Sequence, residues 1–223
     1  DRMIVAAKQS GKHLQIGQCI RFWPEYAKTK ELIDSGKYGK VLAVSLRRLT
    51  ASPSWSSENW LMNEQRSGGV ALDLHIHDTD YVQYLFGVPK AVCSFGSKKA
   101  NGGLAHIMTQ YIYDDNKIIF AEGGWVMTSS FGFEMSFNVV LEKATIQFDC
   151  TRTPAFKVCP DDGAVFTPEV ESGDGYSREI EHFVKSLRGE TVPTIVTMEG
   201  ARDSIRIVEA EKESAATIQK VVL

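Results

Sequence analysis

Apolar residues recur at two different periods along this chain, and the change from one to the other falls near residue 90. In the first part, Met3, Ile4 and Ala7 predict a short helix over residues 1–10, stopped by Gly11, and alternation over 13–20 predicts a strand. Pro24 opens a second amphipathic helix through Tyr26, Leu32 and Ile33, closed by Ser35-Gly36, and residues 41–49 alternate into another strand. Beyond residue 90, strands follow one another over 91–97, 105–113, 118–127, 135–141, 144–150 and 155–159. Asp114-Asp115-Asn116 and Glu142-Lys143 are tight enough to join antiparallel neighbours. Helices return over 177–188, stopped by Gly189, and over 198–221. Helices before and after a meandering sheet predict an α+β fold, a mostly antiparallel open β-sheet with helices on one face.

The segment from 68 to 87, GGVALDLHIHDTDYVQYLFG, sets two histidines and three aspartates in an otherwise apolar run. Buried ionisable groups are costly unless paired or used, so function is to be sought here. On a strand, Asp73, His75 and His77 would share one face and could hold a metal, as in hydrolases with an Asp-x-His-x-His edge. The run from 70 to 86 is far longer than the usual strand of about 4–8 residues, which favours a helix over 68–86. Ser67 is a suitable N-cap, and Gly87 followed by Pro89 a suitable stop. At about 100° per residue, Asp73, His77, Asp80 and Tyr84 then fall within roughly 60° of one another, and His75 swings to the opposite, apolar side. Residues 50–67 read as a loop leading into this helix, with Trp55 and Trp60; Trp60, nearer the helix, is the better candidate for lining a pocket.

Composition narrows the partners. The 223 residues are 43% hydrophobic and 24% charged, with net charge −3 and dispersed basic residues. Neither nucleic acid nor an anionic membrane finds electrostatic support in that balance. Cys19, Cys93, Cys150 and Cys159 form no C-x-x-C pair, so free thiols and a cytoplasmic setting are expected. The chain begins with Asp1, and its abrupt helix-then-strand opening reads as the tail of an α/β unit whose upstream part is missing.

Asp73 and His77, at i and i+4, can act as an oriented acid–base pair that strips a proton from an alcohol. A buried hydrogen bond serving only the core is the alternative. His75 is expected to be a satisfied core histidine, and Asp80 could orient His77 or cap a neighbouring strand.

These residues resemble the helix motif of the glucose-fructose oxidoreductase, inositol dehydrogenase and rhizopine-catabolism family, Gfo/Idh/MocA, in which paired glycines precede Asp-x-x-x-His. QCIRFWPEY (18–26), ELIDSGKYGKVLAVS (31–45) and EGARDSIRIVEAEKESAATIQKVV (199–222) resemble further segments of that family in the expected order. The resemblance implies that residues 1–22 are the last helix and strand of an N-terminal Rossmann domain that is otherwise missing, and that 23–223 form the substrate-binding and oligomerisation domain. It implies NAD or NADP bound mainly by the missing domain, and a sugar or polyol substrate. It further implies a homodimer or tetramer through the sheet face. His77 would be the base, Asp73 would orient the substrate or a lysine upstream of this chain, and Trp60 and Arg21 would line the site. Gly102-Gly103 and Gly123-Gly124 stand in turn or strand contexts, so no dinucleotide loop is expected here and the chain alone should be inactive. Two other readings remain open: a non-catalytic binding or scaffold protein on the same fold, and a metal-dependent hydrolase using Asp73, His75 and His77.

Overall fold

The computed structural model describes residues 1–98 and 103–223, so Gly102 lies outside the described residues. Helix α1 (Arg2–Ser10) buries none of its residues and ends at Gly11 in the left-handed conformation that glycine adopts without strain. The strand expected over 13–20 is not present. That segment runs without ladder partners into a 3-10 turn, Cys19–Phe22, all four residues of which are buried. Burial over 13–20 does not alternate, and a strand also needs a neighbouring edge to pair with.

Helix α2 (Pro24–Asp34) starts with proline in its first turn, where a missing N–H costs nothing. Strand β1 (Val41–Ala51) follows, two residues longer than the alternation implied. The 50–67 loop contains a 3-10 segment, Ser57–Met62, and the short helix α3 (Glu64–Ser67), capped by the Asn63 side chain accepting from Arg66 N–H. The expected single helix over 68–86 is divided. Ala71–His75 form a π turn, closed by Ile76 N–H donating to the Ala71 carbonyl, and α4 (Ile76–Phe86) continues from it.

Strands β2 (Ala91–Lys98), β3 (Leu104–Ile112), β4 (Ile118–Met127), β5 (Phe133–Leu141), β6 (Ala144–Asp149) and β7 (Phe156–Pro160) stand within two residues of their expected bounds. Helix α5 (Gly175–Leu187) and helix α6 (Met198–Thr217) come next. The last helix stops short of residue 221, because Val221–Val222 form β8 and complete the free edge of β2. The strand order is β7-β6-β5-β1-β4-β3-β2-β8, antiparallel throughout except for β1 and β4, which run parallel. The π turn, α4 and the β2–β3 hairpin intervene between these two central strands, the long crossover that a parallel pair requires. The expected α+β architecture with a mostly antiparallel sheet is therefore what the chain adopts.

Helices α2, α4 and α6 cover one face. Tyr26, Tyr81 and Phe137 meet there edge to face, with centroids 4.8 Å apart for Tyr26 with each of the other two. The opposite face is uncovered. Phe95, Met108, Ile118, Phe120 and Val140 are exposed on it, around a charged row in which Arg47 pairs with Glu122 and Glu134, and Glu122 with His106.

Candidate functional site

The site is built where the π turn meets the end of β1. Gly68 and Gly69 enter the turn at φ 77° and 66°, and a Cβ on Gly68 would fall 2.6 Å from that of Leu72. Asp73, on the turn, lines a cleft of about 590 Å³ together with Thr50, Ser52, Trp55, Trp125 and Phe133. Burial raises its carboxyl above the ordinary aspartate value.

His77 lies in the first turn of α4 and is not among the cleft-lining residues. Its Nδ1 is buried without a hydrogen-bond partner among the described residues. Burial, and secondarily the charge of Arg48, hold its pKa down at about 4, against a smaller upward pull from Asp78. The imidazole is consequently neutral near pH 7, the form that accepts a proton. Arg48 and Asp78 are themselves a buried bidentate pair, with Nε and Nη2 donating to Oδ2 and Oδ1 at 3.0 and 2.9 Å.

The rest of the expected polar stripe is used inside the protein. Asp80 accepts from Arg21 Nε at 2.7 Å and Nη2 at 2.8 Å, and from Ser204 at 2.7 Å, and it is fully buried. Arg21 also donates to the Ile195 carbonyl and lies 4.6 Å over the Tyr84 ring. The structure thus sets Arg21 and Asp80 against each other, where they tie the 3-10 turn to α4 and α6. Trp60 is 38% exposed but does not line the cleft; Trp55, five residues earlier, does.

His75 occupies the core. Its Nε2 is 3.3 Å from Glu211 Oε2, off the line of a good hydrogen bond, and its ring lies against Gly123. Thr79 Oγ1 donates to Glu211 at 3.0 Å, and the Tyr111 hydroxyl, 2.9 Å away, donates to Thr79. Asp73, His75 and His77 therefore face three different surroundings, and no group of three potential ligands converges among the described residues. Sequence reasoning missed Arg48, although its position two after Leu46 and four after Val44 put it on the inward face of β1.

A dinucleotide needs a glycine-rich turn from a strand into a helix. Gly123 and Gly124 instead lie within β4, where their missing side chains make room for His75 and His106.

Residues 26–147 match the model of the GFO/IDH/MocA C-terminal domain. The chain is 24% identical over 203 residues to scyllo-inositol 2-dehydrogenase (NAD(+)) of Bacillus subtilis, covering 86% of this chain and 57% of that protein. Its fold is similar to that of aldose-aldose oxidoreductase from Caulobacter crescentus, with a TM-score of 0.83 at 20% identity over 99% of this chain and 67% of the other. Levoglucosan dehydrogenase, solved with NADH and levoglucosan, gives 0.79 at 20% identity, covering 99% and 68%. The chain spans little more than half the length of the first of these relatives. With a match over more than half its residues, the chain belongs to the Gfo/Idh/MocA family and carries its C-terminal domain.

Proposed function

We propose that this chain is the substrate-binding part of an NAD(P)-dependent oxidoreductase acting on a sugar or polyol hydroxyl, with His77 as the base and Asp73 as the residue that orients the substrate. The observation that carries this reading is the state of His77: a neutral imidazole whose buried Nδ1 has no hydrogen-bond partner among the described residues, one turn from a carboxyl that opens on a cleft. A nicotinamide cofactor would supply the hydride acceptor, held mainly by an N-terminal nucleotide-binding domain outside this chain. The chain's own task is the proton: His77 accepts it from the hydroxyl, and the Arg48–Asp78 pair fixes the field around the ring. Relatives named for inositol and levoglucosan support a neutral polyhydroxy substrate. Arg21 and Asp80, bonded to each other inside the protein, support the site's framework in this reading.

Turnover of inositols and aldoses with NAD and NADP, followed by formation of the reduced cofactor in the protein that carries this chain, tests the proposal. His77→Asn is expected to lower kcat by about 10²-fold or more while leaving the fold intact. The 223-residue chain alone is expected to reduce neither cofactor. Full activity of the Asn variant would remove His77 from the chemistry, and turnover by the chain alone would remove the need for a separate cofactor-binding part.

A further inference from the structure

Glu211, on α6, is a carboxylate with no access to water. A group of this kind is costly to bury unless it is partnered, and its partners come from one short stretch of chain. Thr79 Oγ1 donates to it, 3.0 Å from Oε1 and 3.3 Å from Oε2, and His75 Nε2 stands 3.3 Å from Oε2. The Tyr111 hydroxyl of β3 supports Thr79 from behind. His75 ends the π turn and Thr79 lies in the first turn of α4, so α6 reaches the junction of turn and helix just beyond Asp73. On its other side the His75 ring lies against Gly123 of β4. Elsewhere the turn rests on apolar packing, with Val70 and Leu74 in the small cluster around Trp125, and such contacts have no preferred direction. Ahead of it, Gly68 and Gly69 bring positive φ and no side chain. A directed polar contact is what sets the register of a segment so held.

We infer that Glu211 is a positioning residue of the site: from α6 it grips His75 and Thr79, fixes the π turn against β4, and so holds Asp73 at the cleft. This rests on the site reading above and names what keeps its carboxyl in place. Glu211 touches nothing in the cleft and acts only through the turn. Asp73 is half-buried where the turn meets the cleft, two residues from the gripped histidine. A turn released at His75 would let that carboxyl move outward, and a displacement of about 1 Å at an orienting group is enough to cost rate.

The placement of Asp73 is read from the pH titration of its carboxyl carbon in NMR of the 223-residue chain, assigned by loss in Asp73→Asn. Burial raises that carboxyl in the wild type. Glu211→Met keeps the length of the side chain and removes its hydrogen-bond acceptors. With an unchanged circular dichroism spectrum, it should bring the Asp73 midpoint down toward the ordinary aspartate value. Glu211→Gln also lacks the charge but still accepts from Thr79, and it should stay near the wild type, which separates the grip from a plain charge effect. The double variant His75→Leu/Glu211→Met leaves neither ring nor carboxyl without its partner, so it serves if the single variant does not fold, and it should give the Glu211→Met result. In the protein that carries this chain, Glu211→Met should lower kcat/KM by about tenfold, and should add no loss in an Asp73→Asn background. A midpoint unmoved by Glu211→Met, a Gln variant shifted as far as the Met variant, or additive losses in kcat/KM would overturn the inference. Full turnover by Asp73→Asn would instead remove Asp73 from the site reading, and the midpoints would still decide what holds the turn.

Discussion

Burial pushes Asp73 and His77 toward the same uncharged state, though it moves their pKa values in opposite directions. For His77 this has a consequence for stability. Its ordinary value is 6.5 and its folded value about 4. Above pH 6.5 neither folded nor unfolded chain binds the proton, so the residue is indifferent. As pH falls from 6.5 to about 4, the unfolded chain takes up a proton that the folded chain refuses, and stability declines through that window. Asp73, raised, acts in the other sense but is common to the comparison of wild type with His77→Gln. The Gln variant is expected to lose less stability between pH 7 and 4.5, by on the order of 2 kcal/mol, in urea unfolding at the two pH values. Parallel losses in the two proteins would show that the histidine is not held neutral. That Asp73 and His77 stand one turn apart was legible in the sequence; that the charge of Arg48 acts on His77 was not, because it reaches from a strand to a helix.

At the scale of elements, run length and punctuation predicted a helix from 68 to 86, and the π turn within it was invisible to periodicity. Such turns depend on a wider hydrogen-bond spacing that single-sequence patterns do not encode. Its last residue, His75, is seated against β4 only because position 123 has no side chain: a Cβ there would come within 2.9 Å of His75 Cβ and Nδ1. Both groups are buried, so neither can swing into solvent. Gly123→Ala is expected to destabilise the fold by about 1–3 kcal/mol, read as a lower denaturation midpoint. An unchanged midpoint would mean that the π turn shifts freely and does not fix the position of Asp73. The missing strand at 13–20 has the complementary explanation, an alternating pattern with no edge to receive it.

For the whole molecule, the sheet carries helices on one side and presents Phe95, Met108, Ile118, Phe120 and Val140 on the other. An antiparallel sheet can face water on one side when that side is polar, and here exposed apolar side chains stand beside the charged row from His106 to Glu134. We propose that a second copy covers it. Light scattering after size-exclusion chromatography should give a dimer or tetramer for the wild type and a monomer for Phe120→Arg, with unfolding temperature little changed. A wild-type monomer, or an unaltered oligomer in the Arg variant, would rule out this face as the contact. No helix among the described residues is long and apolar enough to cross a membrane.

Most element types, the α+β order and the Asp-x-x-x-His pair were determined by the sequence itself, because periodicity and punctuation act within a turn or two of chain. What each buried charge is for was decided only by tertiary structure. Arg21 finds Asp80 across 59 residues, Arg48 finds Asp78 across 30, and Thr79 finds Glu211 across 132. A buried ion needs a specific partner at hydrogen-bond distance, and that partner is chosen by the packing of whole elements, not by local pattern. The same packing made β1 and β4 parallel, separated Asp73, His75 and His77, and turned Trp55 to the cleft instead of Trp60.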